Sequence, residues 1–163
     1  MTEWMRVGDQ TVLLCFSHLR WNFVFQRPQH LLSRAAKDYT VLFFEEPLPT
    51  EGPTPELRSS LSREGVRILT PMLPSNATGD DAIQLQRDMI DGAMEEAGSA
   101  RLITWYYTPM ALPFSAHLRP DVCVYDNMDE LSTFRGAPPR LLELEERLLG
   151  RASVVFTGGQ SLF

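Results

Sequence analysis

Six short apolar runs, none alternating cleanly between apolar and polar residues, constrain the fold of this chain more than any other feature. They are Thr11–Phe16 (TVLLCF), Thr40–Glu45 (TVLFFE), Val66–Leu69, Arg101–Tyr106 (RLITWY), Asp121–Tyr125 (DVCVY) and Ser153–Phe156, and they are rich in β-branched and aromatic residues. A strand with one wet face alternates, whereas a strand apolar on both faces belongs between two helical layers. Segments of helical period lie between the runs. Pro28 suits the first position of a helix, where its missing N–H costs nothing, and Leu31, Leu32 and Ala35 follow as an apolar stripe before Lys37-Asp38. A second helix is predicted over Asp80–Ala97, with Ala82, Leu85, Met89 and Ala93 at helical spacing and Ile90 and Ala97 alongside. Asp80 or Asp81 can cap its start, and Gly98 ends it. A third starts at Pro138-Pro139, carrying Leu141, Leu144 and Leu148 on one face, Leu142 and Leu149 besides, and Glu143, Glu145 and Glu146 on the wet side. Strands alternating with helices predict an α/β, Rossmann-like doubly wound parallel sheet with helices on both faces. Glu46–Ser60, rich in Pro, Gly and Ser, reads as a long loop on its rim.

At 163 residues the chain is one domain of ordinary size and can bury roughly two-thirds of its unfolded surface without a disulfide or metal to hold it. Its 15 Lys+Arg against 21 Asp+Glu leave a net charge of −6, which argues against a nucleic-acid binder relying on bulk charge. Cys15 and Cys123 sit inside apolar runs and read as buried thiols of a reducing compartment. MTEWMRVGDQ has no basic cluster leading into a long apolar stretch, and no apolar run approaches the ~20 residues that span a bilayer, so a cytoplasmic protein is expected. The chain stops at Gly158–Phe163, where a strand has just ended and a helix is about to begin, as if residues 1–163 were one domain of a longer protein.

Ligands of open α/β sheets bind beyond the carboxyl ends of the strands, so the loops after Phe16, Glu45, Tyr106, Tyr125 and Phe156 are where chemistry is sought. Ser17–Arg27 (SHLRWNFVFQR) contains no glycine, which disfavours a dinucleotide-binding turn. G-x-x-x-x-G-K-[ST], G-x-S-x-G, C-x-x-C and H-E-x-x-H are all absent, disfavouring a P-loop nucleotidase, an α/β-hydrolase and a zinc site of usual spacing. Neither metal nor flavin is expected.

The first loop is dense in functional side chains. Arg27 lies at a helix N-terminus, where unpaired N–H groups favour an anion. Trp21 offers a flat face to a sugar ring or an apolar group, His18, Arg20 and Gln26 offer hydrogen bonds, and His30 lies about one turn beyond Arg27. The alternative is a packed loop with a solvated Arg and a core Trp. Tyr125–Glu130 follows another strand. Asp126 and Asp129, with Glu130, can orient a hydroxyl nucleophile, stabilise positive charge or bind a metal; equally, they can cap the next turn. Tyr107 and Thr108, in Tyr106–Pro113, fit the wall of a cleft or a structural turn, and Gly158-Gly159 fits a ligand contact or a plain turn.

Taken together, SHLRWNFVFQRPQHLLSR, the strand ending FFEEP, YYTPMALP, VYDNMDELSTFRGAPP and VVFTGGQSL resemble the N-terminal half of bacterial glycosyltransferases of the GT-B fold. The resemblance covers nearly the whole chain, is weakest over Pro47–Arg63, and is nearest to family 1/family 4-like enzymes of the group that stands near UDP-galactopyranose mutase. It implies two Rossmann-like domains facing across a cleft. The N-terminal one, which this chain carries, binds a glycan or lipid-linked acceptor; the C-terminal one, absent here, grips the nucleotide-sugar donor. Many related retaining enzymes place a His after the strand that here ends Val-Tyr-Asp; this chain has Tyr125-Asp126, and the resemblance moves that position's role to Asp126 or Asp129. Arg20, Arg27 or the helix start after Gly159 would hold phosphate or an anionic acceptor. Membrane association would be peripheral at most. A non-catalytic Rossmann-like ligand-binding or scaffold domain is the alternative of a different class.

Overall fold

The computed structural model describes residues 10–98, 101–128 and 136–158. Eight strands form one sheet: β1 (Thr11–Phe16), β2 (Thr40–Phe44), β3 (Leu48–Thr50), β4 (Glu56–Leu61), β5 (Arg67–Pro74), β6 (Arg101–Tyr106), β7 (Val122–Asn127) and β8 (Val154–Thr157). The helices are α1 (Arg27–Ala35), α2 (Gly79–Ala97), α3 (Leu112–Ser115), entered through a 3₁₀ turn at Pro109–Ala111, and α4 (Leu141–Arg151). Strand order is β3-β5-β2-β1-β6-β7-β8, and every neighbouring pair on that path is parallel. β4 departs from the expected all-parallel pattern by pairing β5 antiparallel.

All six runs form strands, and the sheet is doubly wound as predicted. Successive side chains of a strand point to opposite faces, so an unbroken apolar run feeds two cores. Val12, Leu14 and Phe16 of β1 face α2, α3 and α4, meeting Ile90, Leu112, Leu144 and Leu148. Leu13 and Cys15 face the other way, toward Leu32 of α1, with Trp21 and Tyr107 in the same cluster. Both cysteines are free and buried.

Four differences separate the sequence reading from the structure. Glu46–Ser60 is not a plain loop: β3 lies in it, and β4 starts in it. ELRSSL is exposed at every position except half-buried Leu57, so it carries no apolar signal for a strand. β5 runs on through Pro71 and Pro74, residues that normally argue against a continuing strand. α2 is preceded by Thr78 in an extended N-cap conformation, and Asp80 and Asp81 occupy the first turn, where they favour the positive end of the helix dipole. Gly98 does close α2 in the left-handed conformation, at φ 59°. α1 starts one residue before Pro28; Gln26 and Gln29 form a reciprocal cap, with the Gln26 N–H donating to Gln29 Oε1 at 2.9 Å.

Gly158 holds the ends of β7 and β8 together. Its N–H donates to the Asn127 carbonyl at 2.9 Å, and a Cβ added there would stand 2.3 Å from the Met128 carbonyl oxygen. That neighbour is backbone and cannot rotate away. Gly158→Ala is expected to cost about 1–3 kcal/mol, the usual penalty of overpacking, read as a lower urea midpoint with unchanged slope.

Candidate functional site

The carboxyl ends of β1, β2 and β6 open onto a hollow of about 320 Å³ on the α2–α3 side of the sheet. Phe16, Phe44 and Phe114 give it an aromatic floor; Ser17, Glu45, Glu46, Gln86 and Thr108 supply its polar groups. The floor is a ring cluster, with Phe16 centred 5.9 Å from Phe44 and 6.0 Å from Phe114. Chain direction puts the polar groups there, since Ser17, Glu45 and Thr108 are among the first residues to leave the strand ends.

Glu45 is buried and fully occupied. Its Oε2 accepts from Arg20 Nη1 at 3.1 Å and from Thr70 Oγ1 at 2.9 Å, and its Oε1 accepts from the Trp21 N–H at 2.9 Å. Arg20 Nη1 also donates to the Glu46 carbonyl at 2.6 Å, so this arginine ties the first loop to the end of β2. Burial raises the Glu46 carboxyl above its ordinary pKa, with Arg20 pulling the other way. Gln86, from the middle of α2, is 6% exposed; its Nε2 donates to the Ala82 carbonyl at 3.1 Å, and its Oε1 has no partner. The carbonyl partner fixes which amide atom is nitrogen, so the unpaired atom is an acceptor.

A second cluster lies on the α1 side. Arg27, at the start of α1, makes a two-pronged contact with Asp126 at the end of β7: Nε to Oδ2 at 3.1 Å and Nη2 to Oδ1 at 3.0 Å. Asp126 is 0% exposed. The Tyr107 hydroxyl and Trp105 N–H press on the same carboxylate without reaching hydrogen-bond geometry with it. Burial raises the Asp126 pKa, and Arg27 and these donors oppose the rise. Burial likewise pushes the Tyr107 hydroxyl far above its usual value, with Cys15 and Asp126 adding to the shift.

Arg27, Tyr107 and Asp126, from three separate elements, therefore meet, but on the opposite side of the sheet from the hollow. Among the described residues Thr108 is the one expected residue that lines the hollow; its Oγ1 accepts the Met110 N–H at 3.2 Å, and Arg20 reaches the rim through Glu45. Trp21 does not present a flat face to solvent: it is 6% exposed and packs edge-on against Phe43, 5.1 Å between centres. Gln26 caps α1, and exposed His30 meets Phe25 edge-on at 4.6 Å. His18 is half-buried beside Ser17. Asp129, Glu130 and Gly159 lie outside the described residues. The loop tip is apolar, with Phe23 79% exposed and Val24 and Phe25 about half exposed. Sequence reasoning passed over Glu45, Glu46 and Gln86. The two glutamates were legible as acids ending an apolar strand, whereas Gln86 is one of several polar residues in a helix, and nothing local marks it.

No family model matches the chain, and no curated protein does. Solved structures do. One is the trehalose-6-phosphate protein from E. coli bound with UDP-2-fluoro glucose, at TM-score 0.53 and 14% identity. Another is an α,α-trehalose-phosphate synthase (UDP-forming) from Burkholderia xenovorans in complex with glucose-6-phosphate, at TM-score 0.51 and 14% identity. Each match covers 88% of this chain but 39% of the other, so the chain spans about two-fifths of their length. At this identity the likeness shows the fold alone: an α/β, Rossmann-like domain with the GT-B-type architecture that those two structures share.

Proposed function

We propose that the chain is the acceptor-binding N-terminal domain of a glycosyltransferase that moves a sugar from a nucleotide-sugar donor to a glycan or lipid-linked acceptor. The donor domain then follows it in the complete protein, and the nucleotide-sugar is a co-substrate. The observation that carries this reading is the hollow at the carboxyl ends of β1, β2 and β6, in a fold whose solved neighbours are described with UDP-2-fluoro glucose and with glucose-6-phosphate. Half-buried Phe114 and Met110 in its lining suit the C–H faces of a sugar ring, and Ser17, Glu46, Gln86 and Thr108 suit hydroxyls. The bare tip Phe23–Phe25 at the same edge offers apolar surface to a lipid-linked acceptor. Among the described residues no helix is long and apolar enough to cross a membrane, so membrane contact in this reading is peripheral, from the cytoplasmic side. The narrower kinship with the group near UDP-galactopyranose mutase belongs to the same proposal.

In this role the domain positions an acceptor hydroxyl and excludes water, while charge on the departing diphosphate is met from the other half of the cleft. Asp126 acts through Arg27, which it anchors, because its carboxylate is covered. The test is sugar transfer by the complete protein from a panel of UDP-, GDP- and dTDP-sugars, with glycan and lipid-linked acceptors. Transfer is expected, together with no transfer by the 163-residue chain alone; a complete protein inert across the panel overturns the reading.

One observation favours a non-catalytic ligand-binding or scaffold domain: Arg27 and Asp126 are spent on each other. That reading predicts that Gln86→Ala and Glu46→Ala leave ligand binding and turnover unchanged.

A further inference from the structure

We infer that the hollow takes a sugar carrying no phosphate, with Glu46 and Gln86 as the groups that select against a phosphorylated one. The inference rests on the acceptor-binding reading above and names the substrate class of the same hollow.

The chemistry of the lining carries it. Among the described residues no Lys, Arg or His lines the hollow, while Glu45 and Glu46 do. Arg20 is held between Glu45 Oε2 and the Glu46 carbonyl, so its charge is already answered. Gln86 adds an amide oxygen that is buried and unpartnered, in a position where an acceptor without a donor costs free energy. Gln86 Oε1 and the Glu46 carboxylate thus ask for hydrogen-bond donors, while the Ser17 and Thr108 hydroxyls, which accept from Leu19 and Met110 N–H groups, can each donate one bond to a sugar oxygen. A sugar hydroxyl donates; a phosphate ester at neutral pH brings acceptors and negative charge. Placed within a few ångströms of the Glu46 carboxylate, such a group meets repulsion worth about tenfold or more in affinity. Half-buried Phe114 and Met110 complete the match, because the C–H face of an uncharged ring packs on them without needing a counter-ion.

The contrast with the fold neighbours is informative. One of them is described in complex with glucose-6-phosphate, a ligand whose phosphate demands cations. This chain keeps the fold but puts acids and an amide oxygen around its hollow, so the same architecture here serves a different acceptor.

The experiment is NMR titration of the chain with methyl glucoside, methyl galactoside and methyl mannoside, and with the 6-phosphates of glucose, galactose and mannose, using inorganic phosphate as control. The expected result is that at least one neutral glycoside shifts the Gln86 side-chain amide and the Thr108 N–H, and binds about tenfold or more tightly than its 6-phosphate. Gln86→Leu should lose the neutral glycoside, and Glu46→Lys, on an exposed residue whose contact to Arg20 is through backbone, should narrow or reverse the preference. Equal or tighter binding of the 6-phosphates overturns this inference and leaves the acceptor-binding reading standing. If no saccharide of either kind perturbs the hollow, both fall together. Unchanged preference in Glu46→Lys removes Glu46 as a selecting group and overturns the proposal as stated.

Discussion

Phe16→Ala is expected to lower the unfolding free energy by about 3–5 kcal/mol, the range for emptying an aromatic site in a packed core. Phe16 ends β1, the strand flanked by β2 and β6, and its register partners are Phe44 and Tyr106. Its ring is essentially unexposed and lies 4.8 Å from Tyr106 in a stacked arrangement, with Phe44 and Phe114 edge-on. The cost depends on how far neighbours can collapse into the space. Tyr106 cannot follow, because its hydroxyl is bonded to Ser115 Oγ at 2.8 Å, and Ser115 in turn donates to the Ala111 carbonyl at 2.7 Å. Burial pushes the Tyr106 hydroxyl up to about 12, so it stays neutral and bonded across the working range. Phe44 is fixed by its own strand. The vacated volume therefore persists and joins the hollow, which should also loosen any ligand seated there. Equilibrium urea unfolding followed by circular dichroism reads the stability loss directly. Leu142→Ala, on the exposed side of α4, serves as the control and should stay within about 0.5 kcal/mol. A Phe16→Ala loss below about 1 kcal/mol would mean that the ring cluster is not the centre of this core.

What could be read from the sequence follows from which physical signal each residue leaves in it. Runs buried on both faces leave a strong one: TVLLCF and TVLFF are buried at every position but the first and form β1 and β2. Ser153–Phe156 also forms a strand, but at the end of the strand order with Val154, Val155 and Phe156 exposed, so its expected burial on both faces does not hold. Edge structure leaves a weak one. β4 holds its place by backbone pairing with β5 while its side chains stay in water, so ELRSSL looks like any polar loop. The candidate site divides along the same line. Asp126, Arg27 and Tyr107 were singled out as polar residues leaving strand ends or starting a helix, and they do meet, yet pairing over 99 residues of sequence is invisible to local pattern. Trp21 shows the reverse: an aromatic in a polar loop suggests a binding face, but Glu45 accepts its backbone N–H and the indole packs edge-on against Phe43. Gln86 becomes visible only when the fold brings α2 over the ends of β1 and β2.

Arg27→Ala should destabilise the protein by about 2–4 kcal/mol at neutral pH, less than the full cost of breaking a buried pair because Arg27 is itself partly exposed. The pH dependence identifies the cause. Burial raises the Asp126 pKa and Arg27 opposes that rise, so the folded state holds the Asp126 proton more tightly than the unfolded chain does. For a carboxyl raised in this way, the contribution to stability is most favourable below the ordinary carboxylate range and is lost as pH rises through it toward the raised value. Removing Arg27 takes away the charge that limits the rise, so the loss deepens above that range and disappears below it. The gap between the wild type and Arg27→Ala should accordingly be widest near neutrality and narrow as pH falls below the ordinary carboxylate range, where Asp126 is protonated with or without Arg27. Asp126→Asn supplies the complementary arm. An amide cannot ionise, so adding Arg27→Ala to it should cost far less than adding Arg27→Ala to the wild type, and the remaining difference should be flat with pH. A gap that stays constant from acid to neutral pH would mean that the carboxyl is already neutral in the native protein, and that the Arg27 contact is a hydrogen bond between a cation and an uncharged acid rather than an ion pair. The helix start and β7 would then be joined by geometry alone.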